Sequence, residues 1–318
     1  MFESVKKILK KTLPDSAYRR LQEIYYPFTS EGKIYQKQKK ALLNEIRTYY
    51  QSHVPNDEIK EILDYLPMCK EIMHPYKWAE TPKTFNIDVY HDSANNLPYV
   101  LMDDKRLYFP EDWTDAFIQS YYYGVQIREQ NPLSPHRYLT DDFNISPDDI
   151  VVDLGVAEGN FGLDVVDKVK KIYLFEPEEM WMKPLKATFA PWKEKVEIVQ
   201  KYVSDTVDEN TTTIDDYFIG KDSPTFFKLD IEGFEREALL GGTKTLASNT
   251  MKKVVTCVYH RQDDEEILGN MMKKFGFTVT PSKGYLLILS GDIELGKPTY
   301  KYKPPYFRRG VIHCNKDK

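Results

Sequence analysis

Three residues in the second half of the chain have the types and spacing for moving a proton or holding a cation. Asp230 and Glu232 lie two apart in the run Phe226-Phe227-Lys228-Leu229-Asp230-Ile231-Glu232-Gly233-Phe234-Glu235, and His260 follows the apolar run Val254–Tyr259. Two carboxylates and one imidazole at strand ends can work in two ways. In the first, His260 is a general base, mostly neutral at pH 7 with an ordinary pKa near ~6.5, and Asp230 orients it or the substrate. A positioned histidine typically contributes about 10²–10⁴-fold. In the second, Asp230, His260 and Glu232 hold a divalent metal that acidifies a hydroxyl, and hard oxygen ligands favour magnesium or manganese. The metal-free arrangement is the expectation, because only one or two of these residues are firm ligands.

Such residues need a frame that brings strand ends together. From Asp149 onward the apolar runs Ile150–Leu154, Lys171–Phe175, Val196–Val203, Thr225–Leu229 and Val254–Tyr259 alternate with helix-length segments. That rhythm requires crossover connections, which predicts an α/β fold with a doubly wound, mainly parallel sheet, Rossmann-like in form. Further strand-like pieces follow at Phe277–Thr280, Tyr285–Leu289 and Val311–Cys314. Upstream, helical spacing marks Gln36–Gln51 and Asp57–Met68, and short strands are expected at Phe85–Tyr90, Tyr99–Met102 and Arg106–Phe109. Asp112 is placed to cap a tyrosine-rich helix running to about Gln130, which Asn131-Pro132 and Ser134-Pro135 stop. The expected organisation is a helical and hairpin region over 1–135 and a catalytic domain over 136–318.

In a doubly wound sheet ligands bind beyond the carboxyl ends of the strands, where the strand order reverses. The first strand there leads into Asp153-Leu154-Gly155-Val156-Ala157-Glu158-Gly159-Asn160-Phe161-Gly162. Its glycines are out of register with the G-x-G-x-x-G dinucleotide pattern. A carboxylate at Asp153 would repel a pyrophosphate and suits a ligand with a cationic amino acid end, such as S-adenosylmethionine. Asp153, Gly155, Ala157, Glu158, Gly159, Asn160 and Phe161 are therefore the expected cofactor contacts on this loop. Glu176, 23 positions after Asp153, ends the second strand where an acid accepts hydrogen bonds from ribose hydroxyls, and Pro177 turns the chain. Ser204 stands where the adenine edge would lie, and Asp230 can also face the cofactor. His136, Glu232 and Arg261 are candidates for the acceptor side, and Arg308-Arg309 could bind an anionic acceptor. A nicotinamide oxidoreductase and a non-catalytic binding protein of the same fold are the competing readings.

The combination of Val152-Asp153-Leu154-Gly155, Leu174-Phe175-Glu176-Pro177, Thr213–Phe218, Lys228-Leu229-Asp230-Ile231-Glu232-Gly233-Phe234-Glu235 and Glu237–Gly242 resembles the FkbM family of methyltransferases. The similarity runs from about residue 149 to 280, and Lys228–Gly233 is its most specific part. The resemblance implies a class I methyltransferase fold and O-methylation of a hydroxyl. It also implies acceptors such as sugars of glycans, polysaccharides or glycosylated natural products. Ala157-Glu158 departs from the Ala-Asn that the family commonly carries at that place.

Composition narrows the field around this reading. The 318 residues carry a net charge of -5, yet residues 1–50 alone hold 11 Lys/Arg against 5 Asp/Glu. A basic head on an acidic body argues against a general nucleic-acid binder, which needs positive charge around its site. Three scattered cysteines form no CxxC pair, so neither a disulfide framework nor a structural zinc site is expected. No run approaches the roughly 18 apolar residues of a membrane span. Phe2, Val5, Ile8, Leu9 and Leu13 alternate with lysines at helical spacing, a pattern that packs on the protein itself or touches an anionic membrane through residues 1–13. A cytoplasmic protein, with that contact at the inner face of the membrane as the variant, is the expectation.

Overall fold

The computed structural model describes residues 30–69, 72–80, 86–287 and 304–316. The chain divides into two compact units, one of residues 1–85 with 287–307 and one of residues 86–286 with 308–318. In the first, helix α1 (Ser30–Ser52) and helix α2 (Asp57–Tyr65) replace the expected Gln36–Gln51 and Asp57–Met68. The Asn56 side chain accepts the Ile59 N–H and so starts α2. Leu42, Ile46, Ile62 and Leu66 are buried between them. The basic segment 1–13 lies outside the described residues. Among the described residues no helix is long and apolar enough to cross a membrane.

The second unit opens with an antiparallel sheet of β1 (Tyr90–Asp92), β2 (Leu97–Met102) and β3 (Lys105–Tyr108). The first of these begins at Tyr90, where the expected strand ends. Thr114 rather than Asp112 caps helix α3 (Asp115–Tyr122), its side chain accepting the Phe117 N–H. The chain continues through a π-helical turn over Tyr123–Arg128. The hairpin does not stand apart from the sheet that follows. Val100, Met102, Leu107, Phe109 and Ile118 share one buried cluster with Val151, Leu185 and Phe226.

The large sheet is built from β4 (Ile150–Leu154), β5 (Lys171–Phe175), β6 (Val196–Val199), β9 (Phe226–Leu229), β10 (Lys253–Cys257), β11 (Thr278–Pro281) and β12 (Val311–Asn315). Their order is β11-β12-β10-β9-β4-β5-β6. β4, β5, β6, β9 and β10 run parallel, while β12 is antiparallel to both β10 and β11. The expected strand 196–203 breaks in two, and its second piece, β7 (Tyr202–Val203), pairs with β8 (Thr211–Thr212). At Tyr285–Leu289 the described part makes only an isolated bridge, Leu286 to Arg308.

Alternation along the strands sends Val151 and Phe226 to one face and Val152, Leu154, Phe227 and Leu229 to the other, so each face has its own core. The strand order reverses at β4, with β5 on one side and β9 on the other, which sets the loop after β4 at the switch point. The alternation is broken there by charge. Asp153 of β4 lies in register with Lys228 of β9, and their Oδ1 and Nζ atoms are 2.9 Å apart with both side chains buried. Lys228 also donates to the Gly155 carbonyl at 2.6 Å. Removing one partner of a buried ion pair leaves an uncompensated charge and typically costs about 3–5 kcal/mol. Lys228→Ala is therefore expected to lose about that much stability, read as a lower midpoint in urea denaturation at unchanged slope.

Candidate active site

The cofactor loop is shaped by backbone constraints that its sequence encodes. Gly155 sits at φ +78°, and a Cβ there would come within 1.8 Å of the Asp230 carbonyl oxygen. Glycine at this position is what allows the loop to close on the end of β9. Gly159, at φ +92°, precedes helix α4 (Asn160–Val165). The Ala157 N–H donates to Glu176 Oε2 at 2.8 Å, and the Glu178 N–H donates to Glu176 Oε1 at 2.9 Å. Glu176 is nearly buried, and burial pushes its carboxyl above the usual range. A carboxylate has about four lone-pair sites, so two backbone donors leave capacity for two hydroxyls of a ribose. On that observation the residues fit the adenosine part of S-adenosylmethionine.

Other residues of this rim are held by contacts within the protein. Asp153 is fully buried and turned to Lys228, so its charge is already matched within the protein. Phe161 packs edge-on against Tyr138 and stacks with Phe226 in the core. Asn160 donates to Val125 O at 3.3 Å and Gln126 Oε1 at 3.2 Å, tying the loop to the π-helical turn. Glu158 accepts from the Tyr121 hydroxyl at 2.8 Å, and burial lifts its pKa to about 7. Ser204 is hydrogen-bonded to Asp205 Oδ1 at 3.2 Å, just after β7. Pro177 follows Glu176 at the turn into helix α5 (Glu179–Thr188).

The chemistry-bearing groups do converge. Asp230 follows β9, and its two oxygens face different neighbours. Oδ2 accepts from the Tyr138 hydroxyl at 2.6 Å and lies 3.5 Å from His136 Nε2. Oδ1 lies 3.6 Å from His260 Nε2. Burial alone would raise the Asp230 pKa, but His136, Lys228 and His260 hold it well below the ordinary carboxylate range. Lys228 Nζ also lies 5.2 Å from the centre of the Tyr138 ring.

His136 is 1% exposed and sits between Glu129 Oε2, 3.7 Å from Nδ1, and Asp230. Its ring also meets the Tyr259 hydroxyl at 3.1 Å. It lies inside the site and supports Asp230, away from any exposed acceptor position.

His260 departs most from its expected state. Its Nδ1 is 2.9 Å from Glu235 Oε1, and its Nε2 is 3.6 Å from both Asp230 Oδ1 and Glu232 Oε2. Burial would favour the neutral ring, but Glu235, Asp230 and Glu232 lift its pKa to about 9. A pKa lifted to about 9 favours the imidazolium at neutral pH, which does not suit a general base of ordinary pKa. Glu235 is the first residue of helix α6 (Glu235–Leu240) and also accepts the Ile231 N–H at 3.0 Å. Glu232 has φ +54° with a side chain 91% exposed, a left-handed conformation that costs a non-glycine residue about 1–2 kcal/mol.

The arginines are engaged by neighbouring groups. Arg261 makes a bidentate pair with Glu237 at 2.9 and 3.0 Å. Arg308 donates to the Tyr259 carbonyl and to Gln262, and Arg309 to the Ser282 and Gly284 carbonyls. Tyr138, Tyr259, Lys228, Glu129 and Tyr121 were missed in the sequence reading. Lys228 carried a signal, because it shares a strand face with Asp230 two residues on and aligns with Asp153.

The order β11-β12-β10-β9-β4-β5-β6, with β12 reversed, is the Rossmann-like sheet of class I methyltransferases. Residues 183–286 match the family model described as the Methyltransferase FkbM domain, which bears out the resemblance read from the motifs. The matched stretch includes Lys228–Glu235 and His260, and begins after the cofactor loop and Glu176. A comparison with curated proteins gives no match. Among solved structures, a methyltransferase FkbM from Methylobacillus flagellatus is 18% identical, over 64% of this chain and 55% of that one, with a TM-score of 0.44. The chain thus spans about half the length of that protein. An rRNA methylase from Streptococcus thermophilus is 16% identical over 55% and 90% of the two chains, with a TM-score of 0.36. A putative tRNA methyltransferase from Streptococcus pneumoniae, in complex with S-adenosyl-L-methionine, is 15% identical over 54% and 69%, with a TM-score of 0.33.

The charged state of His260 has a measurable consequence. A histidine whose folded pKa lies above its unfolded value near ~6.5 adds stability that is complete below that pH. The contribution is lost as the pH rises through about 9, and amounts to about 3 kcal/mol. Stability is therefore expected to fall between pH ~6.5 and ~9, and His260→Gln to flatten that part of the curve. An imidazole NMR titration of His260 with a midpoint near ~6.5 would contradict the assignment.

Proposed function

We propose that this protein is an S-adenosylmethionine-dependent O-methyltransferase whose acceptor is a hydroxyl on a sugar of a glycan, polysaccharide or glycosylated natural product. The carrying observation is Asp230: an ionised carboxylate whose own backbone touches the cofactor loop at Gly155 and whose Oδ1 faces His260. In this reading Glu176 holds the ribose hydroxyls, and the backbone of Gly155–Gly159 lies along the methionine part. When bound, S-adenosylmethionine supplies an electrophilic methyl group on a sulfonium.

Asp230 Oδ1 accepts the hydrogen bond of the acceptor hydroxyl and aligns its lone pair. Alignment of two reactants can account for about 7–11 kcal/mol of barrier lowering. Tyr138 and His136 fix Asp230 from the inner side, and the His260 imidazolium fixes it from the outer side. The proton released on transfer passes to the carboxylates, of which Glu232 is the exposed one and hands it to solvent. His260 is thus a positioning residue. Beside the loop an aromatic cluster packs on the core, where Trp113 lies 4.6 Å from Phe117 and 5.0 Å from Tyr121, ring centre to ring centre. Tyr121 is itself bonded to Glu158 of that loop.

Calorimetry is expected to show binding of S-adenosylmethionine and S-adenosylhomocysteine but not NAD, and Glu176→Ala to weaken both adenosyl compounds at least about tenfold, the loss of one or two hydrogen bonds. Binding of NAD alone would support the oxidoreductase instead. Nucleotide sugars, oligosaccharides and RNA, screened by homocysteine release, separate the acceptors, and methylation of RNA alone would overturn the sugar assignment. His260→Ala is expected to lose most turnover at nearly unchanged cofactor affinity. The kcat/KM profile of the parent should lack an inflection near pH ~6.5, the signature of a histidine base.

A further inference from the structure

A carboxylate is costly to bury unless a cation or several N–H groups face it. Among the described residues the buried carboxylates are Asp149, Asp153, Glu158, Glu176, Glu235 and Asp264. All but one meet that condition. Asp153 has Lys228 at 2.9 Å, Asp264 has Arg236 at 2.7 Å, and Glu235 has His260 at 2.9 Å. Asp149 accepts the Ser146 N–H and lies 3.6 Å from Lys252, while Glu176 takes two backbone N–H groups. Glu158 has neither. Among the described residues it accepts from one neutral hydroxyl, that of Tyr121, at 2.8 Å.

The surroundings of Glu158 add no balancing charge. Glu129 disfavours its ionised form, and Lys228, engaged by Asp153 and the Gly155 carbonyl, offsets only a small part of the burial. The Tyr121 hydroxyl is faced by Glu158, Glu129 and Glu176 together. The place of Glu158 on the loop says what would pair with it. It follows Ala157, whose N–H binds Glu176 at 2.8 Å, so it stands next to the group that fits a ribose. In S-adenosylmethionine a few single bonds through the sulfur join the ribose to the carbon that bears the ammonium. A ligand held at Glu176 therefore carries its ammonium within reach of this loop. Asp153, expected from the sequence to meet that charge, is already matched by Lys228.

Resting on the methyl-transfer reading of this rim, we propose that Glu158 is the receptor for the α-ammonium group of S-adenosylmethionine, with Tyr121 as its positioning residue. Glu158 is then a specificity determinant, separating adenosyl compounds that carry an amino acid end from those that lack one. Capture of the ligand also moves a proton. A carboxyl that titrates at about 7 has to ionise to pair with the ammonium, and its proton goes to solvent.

The test is calorimetry of the full chain with S-adenosylmethionine, S-adenosylhomocysteine and 5′-methylthioadenosine, which lacks the amino acid end. The parent is expected to bind both amino acid compounds about eightfold more weakly at pH ~6 than at ~7.5, as a carboxyl of pKa about 7 requires. Methylthioadenosine affinity should stay flat over that range. Glu158→Gln keeps the shape of the side chain and is expected to weaken both amino acid compounds at least about tenfold. Their pH dependence should vanish with it, while unchanged methylthioadenosine binding reports an intact fold. Tyr121→Phe removes a hydrogen bond that favours the ionised form, and is expected to move the pH midpoint upward. If Glu158→Gln loses methylthioadenosine as well, the pH profiles of the parent and of Tyr121→Phe decide. A flat profile in the parent, or equal affinity of parent and Glu158→Gln for S-adenosylhomocysteine, overturns the proposal. So does a loss confined to S-adenosylmethionine, which would put Glu158 at the sulfonium. In each of these cases bound methylthioadenosine keeps the methyltransferase reading, whereas failure of all three compounds to bind sinks both.

Discussion

Lys228 has to stay charged in a place with almost no water, and much of the site is arranged around that demand. Burial would strip its proton, but Asp153 and Asp230 raise its pKa above the ordinary lysine value. The side chain spans from β9 to β4, touching the Asp153 carboxylate and the carbonyl of Gly155. The cofactor loop is thereby fastened to the strand that carries Asp230. With a glycine at 155 there is no side chain to hold the two apart. Around this pair the charges alternate: Asp153, Lys228, Asp230, His136 and Glu129 on the inner side, His260 and Glu235 on the outer. Removing one partner of such a buried pair leaves its neighbour unbalanced, which typically costs about 3–5 kcal/mol.

That alternation also explains why Asp230 remains ionised although buried. A lone buried carboxylate would take up a proton. Here two histidines and a lysine face it while the tyrosine hydroxyls of 138 and 259 donate to it. Such an arrangement is preorganised: the dipoles and charges are in place before any ligand arrives, so little reorganisation is needed during reaction.

The sheet was legible because its strands are short apolar runs bounded by turns, and because Asp153, Glu176 and Asp230 fall at their carboxyl ends. The helix start at Thr114 was not, since both Asp112 and Thr114 are capping residue types and only geometry chooses between them. The state of His260 was hidden for a different reason. Its neighbours Glu232 and Glu235 stand in the same sequence run as Asp230, yet nothing in their spacing says that one would face Nδ1 and the other Nε2. The partners from 121 to 138 were least legible of all, because contacts across 37 and 92 residues of sequence leave no local pattern.

The place of β12 in the sheet sets an order on synthesis. It lies between β10 and β11 but is the last of these strands to emerge from the ribosome. Until residues 311–315 are made, the outer edge of β10 is bare and β11 has nothing to pair with. A nascent chain in that interval carries an exposed, apolar, unpaired strand, the kind of edge that recruits other chains. The intervening residues 287–307 belong to the other compact unit, so the wait is lengthened by their translation. Slow elongation through that stretch would prolong the exposure.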